Sequence, residues 1–203
     1  MKSIKWNGKE LSPSKIICVG RNYVDHVEEL NNEIPEEPVI FLKPNSAIAN
    51  ELHAFDLDVL HYEGEITFLI IDSEIKGVGF GIDLTKRELQ TDLKAKGLPW
   101  ERAKSFDNSA IFSNFISFDC EVGELRMELF INEHLVQSGG CNLMLNQPQQ
   151  ILNEFKTFLT FEDGDLLMCG TPKGVGPINV GDQFIGRIFD KENLLVEGFW
   201  CAK

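Results

Sequence analysis

"HYEGEITFLIID", residues 61–72, and "KGVGFGID", residues 76–83, decide how this chain is read. The first stretch runs into core material: Ile66, Phe68, Leu69, Ile70 and Ile71. Side chains alternate along a strand, so Glu63 and Glu65 share one face. Two carboxylates side by side next to a core repel each other and lose hydration. The second stretch is apolar and glycine-rich, and pairing it with the first as a hairpin brings Asp83 toward the two glutamates. Two readings stand at this point. One is a wet sheet face, where paired glutamates are common. The other is a cluster that chelates a hard cation, which needs oxygen ligands. All three ligands would be oxygen, so a metal there would be Mg2+ or Mn2+ rather than zinc.

The rest of the chain sets the frame. It has 203 residues, 43% hydrophobic and 25% charged, enough for one good core and a single domain over 1–203. No apolar run approaches the roughly 20 residues of a membrane span. The first residues, "MKSIKWNGKELSPSK", show no apolar targeting segment, and the five cysteines have no CxxC spacing. Reduced thiols and a cytoplasmic setting are the expectation. A net charge of −13 argues against nucleic acid or an anionic membrane as partner, and leaves a small anionic substrate open.

Elements follow from pattern. "KIICVG" (15–20) and 39–42 read as strands, with "YVDHVEELNN" (23–32) between them as a short helix that Asp25 would cap. A capping box of Thr85 and Glu88 predicts a helix over 82–97 that Gly97 stops. "LRMELFINEHLVQ" (125–137) alternates and turns near Asn132–Glu133 as a hairpin. "PQQILNEFKTFLT" (148–160) carries one apolar helical stripe behind Pro148. Three closing strands follow. The sum is an α+β, strand-dominated fold with a few short helices.

Other residues offer chemistry. His26 and Glu29 are three apart, hence on one helix face, and a carboxylate beside an imidazole makes a general base. A solvated surface contact is the plainer reading of that pair. Arg87 and Gln90 share a helix face just after Asp83; the arginine clamps a carboxylate or makes a surface salt bridge. Lys104 lies between Trp100 and Phe106, either as a partly desolvated point charge or as a snorkelling lysine. "CGTPKGVGPI" (169–178) matches no nucleotide loop. Its Thr171 supplies a hydroxyl after a strand, in what is otherwise a plain turn.

Six stretches in order, "GRNYVDHVEEL", "PVIFLKP", "HYEGEITFLI", "GFGIDLTKRELQ", "KGLPWERAKSFDNSA" and "LLMCGTPKGVGPINVGD", strongly resemble the fumarylacetoacetate hydrolase family. The likeness runs from about Ile16 to about Phe184. It is nearest to the short branch of acylpyruvases and oxaloacetate decarboxylases or tautomerases. The resemblance implies a mixed β-sandwich roll, a homodimer, and Mg2+ or Mn2+ held by Glu63, Glu65 and Asp83. It implies His26 and Glu29 as a water-activating dyad in a segment that closes as a lid, flanked by "NNEIPEEP" (31–38). It implies Lys104, Arg87, Gln90 and Thr171 as contacts to the oxyanion and the substrate carboxylate, with Arg21 structural or standing directly behind those contacts. The activity it implies is hydrolysis of a C–C bond in a 3-acylpyruvate. The alternatives are decarboxylation or tautomerisation of oxaloacetate, isomerisation or decarboxylation of hydroxymuconate-type ring-fission products, or a metal-stabilised binding protein without catalysis. This chain has "KRE" (86–88) where the family often has "ARD".

Overall fold

The computed structural model describes residues 1–30 and 33–203. Its centre is the hairpin of strands Asp58–Ile71 and Glu74–Lys86. The turn uses Asp72 and Ser73, both with positive φ (52° and 58°), the twist that a two-residue hairpin turn requires. The register sets Glu63 directly across from Asp83 and Glu65 across from Gly81. A Cβ at Gly81 would sit 2.4 Å from Thr67 Oγ1, so glycine is needed there for the strands to pair at this distance.

Around the hairpin runs one large mixed sheet. Strand Leu166–Met168 pairs antiparallel with the hairpin and parallel with Lys15–Gly20, which pairs antiparallel with Val39–Pro44. On the other side, Ala110–Phe112 pairs with Glu74–Lys86 and, in parallel, with Ile48–Ala49. A four-stranded antiparallel sheet, made of Leu125–Ile131, His134–Gly140, Gln183–Asp190 and Asn193–Cys201, packs on it. Its turn at Asn132 and Glu133 has positive φ at both residues, as the alternating pattern predicts. Gly186 lets the two sheets approach: a Cβ there would lie 2.3 Å from Phe80 Cδ1. The architecture is the expected strand-dominated, mixed sandwich with few helices.

Period two then divides the hairpin. Tyr62, Ile66, Phe68, Phe80 and Ile82 face the core between the sheets. Glu63, Glu65, Thr67 and Asp83 face the other way, and Leu69 on that side joins a second core with Cys18, Phe41 and Met168. Both faces are covered, so the three carboxylates are buried. The wet sheet face is therefore not what forms.

Local signals were overridden in three places. Thr85 stays in its strand opposite His61, and the helix begins only at Arg87, with Lys86 as its cap. The ladder with the long partner strand outweighs a capping box. Gly97 does take positive φ (63°) just past the helix end. Asp25 does not cap helix Val24–Glu29; Tyr23 holds that position, and Asp25 pairs with Lys173 at the surface. The helix expected over 148–160 ends at Phe155, leaving Phe158 exposed. All five cysteines are free thiols. Among the described residues no helix is long and apolar enough to cross a membrane.

Candidate functional site

One cleft collects most of the predicted residues. Its lining includes His26, Glu63, Glu65, Asp83, Arg87, Gln90, Lys104 and Thr171, with Arg21 and Lys94. The long hairpin supplies the floor. One carboxylate oxygen from each of Glu63, Glu65 and Asp83 lies within 4.8 Å of the others. Three buried carboxylates in that space need positive charge.

The protein supplies part of it. Lys104 Nζ donates to Glu63 Oε2 (2.8 Å), Asp83 Oδ2 (2.7 Å) and Thr85 Oγ1 (2.6 Å). Arg87 Nη2 donates to Glu63 Oε1, and its Nη1 donates to Gln90 Oε1 at 2.8 Å. Lys43 Nζ lies 2.8 Å from Asp83 Oδ1, as an ion pair without hydrogen-bond alignment. Burial raises the Glu63 carboxyl, but the charges of Lys104 and Arg87 outweigh it and hold the group well below the usual carboxylate range. Burial also works against the Lys104 ammonium, and Asp83 and Glu63 overcome it, so its pKa is raised.

Glu65 is different. Burial first, then the charges of Asp83 and Glu63, push its carboxyl well above the usual range. It accepts the Gly170 N–H at 2.7 Å, an opposing influence too small to reverse this. A carboxylate held at the cluster's edge and starved of cation fits a divalent ion, and an all-oxygen donor set suits a hard one. Glu63, Glu65 and Asp83 are the residues that would hold it.

The acid–base pair sits on short helix Val24–Glu29. His26 Nδ1 is 3.2 Å from Glu29 Oε2, and Glu29 Oε1 accepts the Gly174 N–H at 2.9 Å. A carboxylate only accepts, so Nδ1 carries the proton in the neutral ring and Nε2 keeps the lone pair. His26 is buried, not a solvated surface histidine. Asn31 and Asn32 of the expected lid connection lie outside the described residues.

Family comparison agrees with this geometry. The model of the fumarylacetoacetate (FAA) hydrolase C-terminal domain matches residues 15–197. The chain belongs to the fumarylacetoacetate hydrolase family. It is 34% identical over 198 residues to oxaloacetate tautomerase YcgM of Escherichia coli (strain K12), covering 88% of this chain and 90% of that one. It is 37% identical over 186 residues to the mitochondrial oxaloacetate tautomerase FAHD1 of Mus musculus, covering 83% and 84%. A crystal structure of fumarylpyruvate hydrolase from Pseudomonas aeruginosa, in complex with Mn2+ and pyruvate, superposes with a TM-score of 0.86 at 26% identity, covering 99% of this chain and 95% of that one.

Family membership makes the chain one of a group of enzymes. Thr171 lines the cleft, but its hydroxyl donates to Gly64 O (2.9 Å) and accepts from Gln137 Nε2 (2.8 Å). To donate to a substrate it must give up the first bond.

Sequence reasoning passed over two residues. Lys43 is fully buried; apart from its ion pair with Asp83 it donates to Ser109 O (3.0 Å) and to Lys104 O, and so fixes the segment carrying Lys104. The signal was a lysine at i+2 from Phe41 on a strand's buried face. Gln137 accepts Gly64 N–H (2.9 Å) and donates to Pro172 O (2.8 Å). It thus holds the backbone between Glu63 and Glu65 against the Thr171 loop. No local pattern marks it, because both partners are distant in sequence. Arg21, read as structural or as standing directly behind the contact residues, lines the cleft.

Proposed function

We propose that this chain catalyses keto–enol exchange of a small keto diacid of the oxaloacetate type, with Mg2+ or Mn2+ as cofactor. One observation carries this: an imidazole–carboxylate pair and an all-oxygen acidic cluster converge on one cleft lined with cations. Two relatives at 34% and 37% identity, named oxaloacetate tautomerases, support it. Hydrolysis of a 3-acylpyruvate, the first expectation from sequence, has weaker support, resting on the fumarylpyruvate hydrolase at 26% identity.

The steps assign each side chain one task. Arg87 and Gln90, linked to each other, hold the carboxylate next to the keto carbon. His26, oriented through Nδ1 by Glu29, uses Nε2 to take the proton from the adjacent carbon and deliver it to the keto oxygen, and to carry it back in the reverse direction. Lys104, on giving up one of its three bonds, donates to the keto oxygen as negative charge builds there. When bound, the divalent ion supplies Lewis-acid stabilisation of that same charge. One proton leaves carbon, one arrives on oxygen, and no water is consumed. A hydrolase differs at one point: the same base must activate a water against the distal carbonyl.

The test is a product-resolved magnetic resonance assay of oxaloacetate and acylpyruvates with Mg2+ or Mn2+. Keto–enol exchange without fragments is expected. Release of pyruvate with a carboxylic acid, or with CO2, faster than exchange would transfer the assignment to hydrolysis or decarboxylation. A homodimer in the cytoplasm belongs to the same proposal.

A further inference from the structure

Two spaces of unlike character meet at one pair of rings. The charged cleft has little free room, about 30 Å³, and its lining includes Gly20, Phe41 and Trp100. The same two rings line a neighbouring groove of about 390 Å³, together with Val39, Ile40, Leu98 and Pro99. The Phe41 and Trp100 centroids are 6.0 Å apart at 53°, a tilted contact that leaves no passage for a chain between them. Gly20 sits at the seam: a Cβ there would lie 3.4 Å from Trp100 Cζ3, 3.8 Å from Val39 Cγ1 and 3.9 Å from Phe41 Cε1.

This partition is held from both sides. Phe41 is buried on strand Val39–Pro44, two residues before Lys43 and so on the same face. Trp100 precedes helix Glu101–Lys104, and its carbonyl accepts the N–H groups of Ala103 (2.8 Å) and Lys104 (3.0 Å). Lys104 Nζ in turn lies 5.4 Å from the Phe41 ring centroid. Both rings pack on the second core with Cys18 and Met168. Each ring is thus carried by backbone that also carries a lysine of the acidic floor, which makes a fixed wall and not a flap.

We propose that Trp100, backed by Phe41, is a specificity-determining residue that shuts out keto acids whose far end carries an apolar tail. Resting on the keto-acid reading above, this bounds the substrate class by length. The cleft has no room for an alkyl or aryl tail, and the nearby space that has room lies behind the rings. That space is apolar apart from Glu101, so a tail that reached it would be bound well. Rejection is therefore steric, and removal of the Trp100 ring reverses it. The substitution leaves the carbonyl that supports Lys104 in place.

The probes are oxamate, N-methyl oxamate and N-benzyl oxamate. They are planar and cannot react, and they match the enolate of a 2-oxo acid in shape, with nitrogen at the reacting carbon and the substituent as tail. Calorimetry measures their binding to the Mn2+-loaded wild type, Trp100→Ala and Trp100→Phe, and oxaloacetate exchange is followed in the same proteins. The wild type should bind N-benzyl oxamate about tenfold or more weakly than oxamate. Trp100→Ala should shift that ratio by about tenfold or more toward the benzyl ligand, the scale of burying one such group on apolar surface. Trp100→Phe, which keeps a ring in the wall, should retain most of the wild-type discrimination. A wild type that binds both ligands alike would overturn the wall whatever the variants do. So would a Trp100→Ala protein that keeps the wild-type ratio, or one that loses all three ligands in proportion, as a mere support of Lys104 would. Discrimination that Trp100→Ala relieves, without oxaloacetate exchange in the wild type, would leave the wall standing and reject the tautomerase reading.

Discussion

The floor and the rim of the cleft are built in opposite ways. The floor carboxylates sit on two strands of 14 and 13 residues, paired across twelve register positions and buried on both faces. Glu63 is met by Lys104 and Arg87, Asp83 by Lys104 and Lys43, and Glu65 by the Gly170 N–H. The rim pair, His26 and Glu29, rides a six-residue helix with no side-chain cap. Its tie to the opposite wall is the Gly174 N–H on Glu29. Metal ligands need fixed geometry, whereas a base that takes and returns a proton needs access to substrate. The contrast predicts that damage to the floor costs metal, and fold as well where an ion pair is broken, while damage to the rim costs rate alone.

The largest expected effect is Asp83→Asn. It removes the shared counter-charge of two buried ammonium groups, and breaking a buried pair from one side costs about 3–5 kcal/mol. Thermal unfolding should show the loss, and titration with Mn2+ should show binding gone. Full Mn2+ affinity in this variant would break the account of the floor.

Gln137→Leu should come next. It strands Gly64 N–H inside the protein, a cost of about 1–3 kcal/mol, and loosens the backbone between Glu63 and Glu65. Both unfolding temperature and Mn2+ affinity should fall. If stability falls with affinity intact, Gln137 supports the fold and not the ligand geometry.

Glu65→Gln sharpens the comparison by separating metal from stability. Glu65 has a raised pKa in the folded chain, so the unfolded chain loses this proton at lower pH than the folded one does. Above the ordinary carboxylate value the folded state therefore binds more protons, and stability drops as pH rises toward the raised value. Glu63 runs the other way: its lowered pKa gives stability above the ordinary value that is lost as pH falls. In chelator-treated protein, Glu65→Gln should melt higher than wild type at neutral pH and lose that advantage in acid, while Mn2+ binding disappears. A lower melting temperature at neutral pH would contradict the repulsion described here.

Lys173→Met should have the smallest effect. Its pairing with Asp25 on the rim is exposed on both sides, and such pairs contribute little. Unfolding temperature should not move measurably.

How much of this the sequence carried follows the same division. Glu63, Glu65 and Asp83 were legible because strand alternation and a hairpin turn are local rules. His26 and Glu29 were legible from helical spacing, though not the burial of His26. Thr85 misled because a capping box is local and the long strand ladder is not. Lys43 and Gln137 escaped because their work is done across 40 and 73 residues of chain, where no spacing rule reaches. The exposed or buried state of a charged side chain is set by tertiary packing, which is why the paired glutamates stayed ambiguous until both faces of the hairpin were seen to be covered.

The most direct test is keto–enol exchange of oxaloacetate by His26→Ala beside its Mn2+ affinity. Loss of a positioned base should lower the rate by roughly 10²–10⁴-fold, with Mn2+ bound as in the wild type. An exchange rate equal to wild type, or a rate loss matched by loss of Mn2+, would contradict the division between a floor that holds the ion and a rim that moves the proton.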